Sequence, residues 1–177
     1  MITLATWSWS PRTVTVGVGD VKTSSDPSSV IVTHALGSCL GIVTYDRAAR
    51  AAGMLHALLP TAAVLPQRAR ENPHLFVDTG LHALCLAMVR LGASRANLEV
   101  SVVGGASVGG DFTTDHFQIG RKNIEALRPL LRSKGLRVHR HLLAGTSPRT
   151  LWVSVADGRV SATAGTVDLP LEEGEPW

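Results

Sequence analysis

Apolar and polar positions alternate with two distinct periods along the 177-residue chain. A period of two, the mark of a half-buried strand, runs through Thr13-Val14-Thr15-Val16 and through Leu98-Glu99-Val100-Ser101-Val102. Short apolar runs occupy Val30–Thr33, Leu40–Tyr45 and Ala52–Leu58. The last two flank the polar connection Asp46-Arg47-Ala48-Ala49-Arg50, which predicts a hairpin. Leu136–Leu143, Thr150–Val155 and Val160–Ala164 read as further strands, with Asp157-Gly158 predicting a type I′ turn between the last two. A period near 3.6 appears twice. Leu81, Leu84, Cys85, Met88 and Leu91 share one helix face, with Asp78 as the N-cap candidate and Gly92 as the stop. Ile124, Leu127 and Leu131 mark a second helix that ends at Gly135, and Pro129 is expected to kink or shorten it. The Ser-rich stretch Val21–Ser29 and the Pro-punctuated stretch Thr61–His74 predict loops, and the first dozen residues a loose extension. More strand than helix, mostly sequential, implies an α+β class. The expected architecture is a single-domain sandwich with a mostly antiparallel or mixed β core flanked by two or three helices.

Composition narrows the function classes. A length of 177 residues suits one domain that buries roughly 70% of its unfolded surface. A mean hydropathy of +0.17 and 18% charged residues exclude a disordered chain. The most apolar region, Ala83–Val89, is far too short to cross a bilayer. The N-terminus has no basic flank or continuous apolar stretch of a signal peptide, so a cytoplasmic location without membrane insertion is expected. Seventeen basic against fourteen acidic residues leave a mild charge of +3, and the eight aromatics are scattered, which argues against nucleic-acid binding.

Two cysteines are too few for a disulfide scaffold or a cysteine-only zinc site. They read differently. Cys85 lies on the apolar helix face beside Leu81 and Met88 and suits core packing. Cys39 sits among Gly37, Ser38 and Gly41, where the chain can turn tightly and present backbone N–H groups. A nucleophilic thiol needs a base, since its ordinary pKa of about 8.5 leaves it mostly protonated at neutral pH. His56 stands alone in the apolar run Gly53–Pro60. If Leu40–Tyr45 pairs antiparallel with Ala52–Leu58, Cys39 faces a position between 56 and 58, and paired strands lie only ~4.8 Å apart. A one-residue slip would turn the two side chains to opposite faces.

These residues resemble a known family. Thr33-His34-Ala35-Leu36-Gly37-Ser38-Cys39-Leu40-Gly41, followed by Met54-Leu55-His56-Ala57-Leu58-Leu59-Pro60, is similar to CheD, the chemoreceptor glutamine deamidases of bacterial and archaeal chemotaxis. Phe76-Val77-Asp78, Gly104-Gly105-Ala106 and Gly120-Arg121-Lys122-Asn123 extend the resemblance, which covers residues 13–164 and leaves 165–177 as a tail. The resemblance implies Cys39 as nucleophile, His56 as base and Thr33 as the residue that orients the imidazole. It implies acyl transfer through a thioester, with ammonia released and no cofactor or metal. The implied substrate is a glutamine of a methyl-accepting chemotaxis receptor, and a CheC-type phosphatase is a second implied partner. Two features depart from the family pattern: the stretch Ala144-Gly145-Thr146-Ser147-Pro148-Arg149, where a Gly-Gly…Gly-Arg run is common, and the bulky His34.

Other readings compete. A regulatory module that activates a CheC-type phosphatase, with a vestigial site, would keep its function in a Cys39→Ala variant. A metal site would draw on His139 and His141, with His116 or His74, but no carboxylate or cysteine stands at ligand spacing. Gly104–Gly110 lacks the Lys-Ser/Thr of a phosphate loop and reads as a turn that contacts a helix. The seven basic residues between Arg121 and Arg140 read as a solvated face or as a docking surface for an acidic partner.

Overall fold

A computed structural model describes residues 12–107 and 117–177. In chain order the strands and helices are β1 (Arg12–Thr15), β2 (Val21–Ser24), β3 (Ser29–Leu36), β4 (Leu40–Asp46), β5 (Ala51–Ala57), α1 (Pro66–Glu71), α2 (Val77–Arg90), β6 (Glu99–Gly104), α3 (Ile119–Lys134), β7 (Arg137–Leu143), β8 (Arg149–Ser154), β9 (Val160–Ala164), β10 (Val167–Leu169) and β11 (Glu172–Glu173). They form two mixed sheets, one ordered β1-β3-β8-β9-β10 and the other β11-β7-β6-β4-β5-β2. Among the described strands, β1 with β3 and β6 with β7 run parallel and the other pairs antiparallel. This is the α+β sandwich expected from the pattern.

Strand alternation sends side chains to two separate cores. From β5, Ala51, Leu55 and Ala57 face α2 and α3, where Leu81, Leu84, Met88, Leu127 and Leu131 meet them. Ala52 and Met54 face the other way, into a core shared with Ile31, Leu151 and Val153 of the second sheet. Both faces of β4 and β5 are therefore buried, which explains why their sequences are continuous apolar runs. Helix α2 lies close to β5 because Gly53 and Gly80 leave room: a Cβ at Gly53 would stand 2.7 Å from Leu84 Cδ1.

Several local expectations are corrected. Val21–Ser24, expected as loop, is an edge strand paired with β5, with Lys22 exposed and the other three residues half-buried. Thr61–His74 is a chain of short helical turns, with Pro66 opening α1 and Pro73 a 3₁₀ turn. Proline favours such first positions because the missing N–H has no helical partner there. Asp78 is not a cap: α2 begins at Val77, and the Asp78 carboxylate accepts the Ala62 N–H at 3.0 Å, tying down the preceding loop. α3 is not shortened at Pro129 but continues to Lys134. Pro129 is on the exposed side, where water can satisfy the freed carbonyl of Glu125. In the β8–β9 connection only Gly158 has a positive φ (71°), so the turn is not type I′ but a longer loop closed by Gly158 N–H to Ser154 O. The predicted loose extension falls almost wholly outside the described residues, and 165–177 carries β10 and β11.

Candidate active site

The segment Gly37-Ser38-Cys39 carries the chain from β3 in one sheet to β4 in the other. Across the β4–β5 hairpin, Leu40 pairs with Ala57 and Gly41 with His56. Cys39 thus precedes by two residues the position opposite His56. It lines the inter-sheet core at 8% exposure, on the side to which Ala52, Met54 and His56 of β5 turn. Gly41, the residue opposite His56, has no side chain, and a Cβ there would press on Leu151 and Leu36 at 2.6 and 2.7 Å. The backbone of His56 is held on its other side by Asp20 O and the Gly19 N–H.

Thr33 comes from the opposite sheet. Its fully buried Oγ1 lies 2.7 Å from Val16 O and 2.8 Å from His56 Nδ1. A hydroxyl has one proton, and a carbonyl can only accept. The Thr33 proton therefore goes to Val16 O, and Thr33 Oγ1 must accept from an Nδ1–H of His56. That fixes the neutral ring with its lone pair on Nε2, a buried atom without a hydrogen-bond partner. Burial pushes the His56 pKa down to about 4. Burial also pushes the Cys39 thiol up, opposed by its own backbone N–H, which interacts with the sulfur. Both shifts favour the uncharged forms, a neutral thiol and a neutral imidazole, which suits general-base activation rather than a standing ion pair.

Around this pair the backbone is tightly held. Gly105 N–H donates to Cys39 O and Ala106 N–H to Gly37 O, both at 2.8 Å. Gly104 admits this contact because it sits at φ 125° and a Cβ there would collide with Cys39 O. Asn123 of α3, fully buried, sends its Nδ2 to Ser38 O and Leu58 O, each at 3.0 Å. Arg149, 7% exposed, donates to the carbonyls of Gly104, Leu142 and Ala144, bracing the turn behind the cysteine. Asn123 and Arg149 had only motif membership to mark them in the sequence; hydrogen bonds to main-chain carbonyls leave no spacing signal.

The structure thus brings Thr33 and His56 into hydrogen-bond contact and places Cys39 on the same inter-sheet core face, without a hydrogen bond between its sulfur and His56 Nε2. Cys85 is 1% exposed within the helix-side core. His34 projects to the outside of its sheet, edge-on to Trp152 at 6.0 Å, and does not crowd the cysteine. A bulge in the β6–β7 pairing adds His139 between Val138 and Arg140, leaving His139 exposed and His141 buried. Among the described residues no three His, Cys, Asp or Glu converge as metal ligands; His116 lies outside them. A cleft of about 1000 Å³ opens at the other end of the sandwich, lined by Tyr45, Arg47, Glu99, Arg137 and Asp157, with none of the three candidates in its wall. No described helix is long and apolar enough to cross a membrane.

The chain is similar to known proteins along most of its length. Residues 58–164 match the model of CheD, described as chemotactic sensory transduction. The chain is 39% identical over 147 residues to a Thermococcus kodakarensis protein, covering 83% of this chain and 89% of that one. It is 38% identical over 162 residues to a Pyrococcus horikoshii protein, covering 92% and 98%. A third relative, from Solibacter usitatus, is 38% identical over 147 residues, covering 83% and 86%. Each of the three is named a probable chemoreceptor glutamine deamidase CheD. A family model that spans more than half of the chain, together with relatives of this identity across more than four fifths of it, makes the chain a member of the CheD family.

Proposed function

We propose that the protein is a glutamine deamidase that converts glutamine side chains of chemotaxis receptors to glutamate, with Cys39 as nucleophile, His56 as general base and Thr33 as the residue that orients the ring. The observation that carries this reading is the bond from His56 Nδ1 to a Thr33 hydroxyl whose proton is already committed to Val16 O. It leaves Nε2 as the basic atom, on the face that Cys39 shares. The names of the relatives supply the substrate class.

In this mechanism Cys39 Sγ attacks the amide carbon of the substrate while His56 Nε2 takes the thiol proton. The C=O electron pair moves to oxygen. On collapse the C–N bond breaks, and ammonia departs with the proton from His56, leaving a thioester. Water, deprotonated by His56, attacks the thioester; the acid is released and the proton returns to sulfur. Thr33 can hold the neutral tautomer but carries no charge to stabilise an imidazolium, so it contributes less than the other two.

Mass spectrometry of a receptor cytoplasmic domain co-expressed with the protein tests this. Gln-to-Glu conversion is expected with the wild type and none above background with Cys39→Ala. Conversion that persists in Cys39→Ala would sink the nucleophile assignment. If the same variant still stimulates a CheC-type phosphatase, a regulatory role exists beside the chemistry.

A further inference from the structure

Three consecutive peptide groups at the nucleophile are tied down through their carbonyl oxygens. Gly37 O accepts from Ala106 N–H, Ser38 O from Asn123 Nδ2, and Cys39 O from Gly105 N–H. The outer two ties are main chain. The middle one is a side chain reaching from α3, and it governs the peptide that contains the Cys39 N–H. In a planar trans peptide the C=O and N–H point in opposite directions. Holding Ser38 C=O toward Asn123 therefore aims the Cys39 N–H away from α3. Among the described residues the N–H groups of Ser38 and Cys39 have no main-chain acceptor.

The orientation of the Asn123 amide is set by its neighbours. Both of its hydrogen bonds run to carbonyl oxygens, so only the NH₂ end can face them, and a flipped amide would lose both. Its Oδ1 is left buried with no hydrogen-bond partner. A side chain chosen only to fill space would avoid that cost, since an unmet buried acceptor is unfavourable. The second bond, to Leu58 O, fastens the nucleophile segment to the chain just beyond β5, the strand that carries His56.

We infer that Asn123 is the positioning residue of an oxyanion hole in which the Cys39 N–H is the donor. This rests on the deamidase reading above. As Sγ bonds to the amide carbon, the C=O pair becomes a full charge on oxygen, and the fixed N–H stabilises it without rearrangement. Asn123 does not touch the substrate; it acts through the Ser38–Cys39 peptide.

Two reactions of the same thiol separate this role from a merely structural one. Deamidation passes through an oxyanion, whereas alkylation of Cys39 by iodoacetamide is a direct displacement at an sp³ carbon and needs no hole. For Asn123→Ala the expected result is a fall in kcat of about 10²–10³-fold, as for the loss of a hole donor. KM and the Cys39 alkylation rate, read by peptide mass spectrometry, should stay within about threefold of wild type, on the same principle that only the oxyanion-forming step uses the donor. Asn123→Asp, close in volume but unable to donate when ionised, should show the same split and serves if the alanine variant does not fold. A kcat within about threefold of wild type overturns the inference, as does a parallel fall in both rates, which would mean that Asn123 places the sulfur instead. Failure of both variants to fold also overturns it, in favour of a structural role. A wild type that forms no glutamate while its Cys39 alkylates normally defeats the deamidase reading and this inference with it. An active wild type with an equally active Asn123→Ala defeats this inference alone.

Discussion

Thr33 has one hydroxyl proton and two buried oxygen and nitrogen neighbours, and this single-proton constraint defines the chemistry of His56. Thr33→Ser keeps the hydroxyl and should retain activity within about threefold, whereas the near-isosteric Thr33→Val should lower kcat by roughly 10–100-fold, the kinetic equivalent of one buried hydrogen bond at 1–3 kcal/mol. Steady-state kinetics of the two variants decide it; equal rates would remove Thr33 from the mechanism. The low pKa of His56, about 4, sets the acid limb. Activity needs the neutral ring, so kcat/KM should hold at pH 5.5 and fall only as pH approaches 4, well below the ordinary imidazole range. The same shift acts on stability. Between the folded value and the ordinary 6.5 of the unfolded chain, the unfolded state binds more protons. Stability is therefore fully present above about pH 6.5 and declines as pH falls toward 4, by an amount on the order of 3 kcal/mol. Urea titrations at pH 7 and 4.5 measure it. At this scale the sequence was partly transparent. Cys39 and His56 share a local hairpin, so register arithmetic could pair them. Thr33 arrives from the other sheet, where no spacing rule reaches, and only the family resemblance pointed to it.

Elements explain which parts of the fold could be read in advance. β4, β5 and β6 are recognisable because their burial dictates their composition, and α2 because one face is buried throughout. β2 escaped notice because an edge strand can be polar on its open side, and α1 because prolines read as breaks also occupy first helical positions. The departure at Ala144 takes on meaning at this level. Ala144 sits at φ 61° in the connection between β7 and β8, its carbonyl held by Arg149. That conformation suits glycine, which is what the family pattern commonly places in this stretch. Ala144→Gly should therefore raise stability by about 0.5–1 kcal/mol, visible as a higher thermal midpoint. Gly104→Ala should do the reverse, because its Cβ would meet Cys39 O where no flexible atom can yield. A loss of several-fold in activity together with a lowered midpoint is the expected result, and an unaffected enzyme would show that the turn can shift freely.

The proposed site draws on both layers of the sandwich: Thr33 from one sheet, His56 from the other, Cys39 from the segment that joins them, and Asn123 from a helix packed outside. No local opening can preserve it, so activity and far-ultraviolet circular dichroism should be lost over the same range of urea. Activity that disappears well before the dichroism would refute this coupling. Cys85, at 1% exposure in the helix-side core, should be alkylated only in that transition. The dispersal of these parts along the chain has a temporal consequence. Cys39 and His56 are synthesised before the turn at Gly104–Ala106, then Asn123, then the β8 strand that pairs with the Thr33 strand. If Cys39 is the proposed nucleophile, a nascent chain carries its sulfur before it carries the parts that would put it to use, and gains the proposed activity only after β8 has been made.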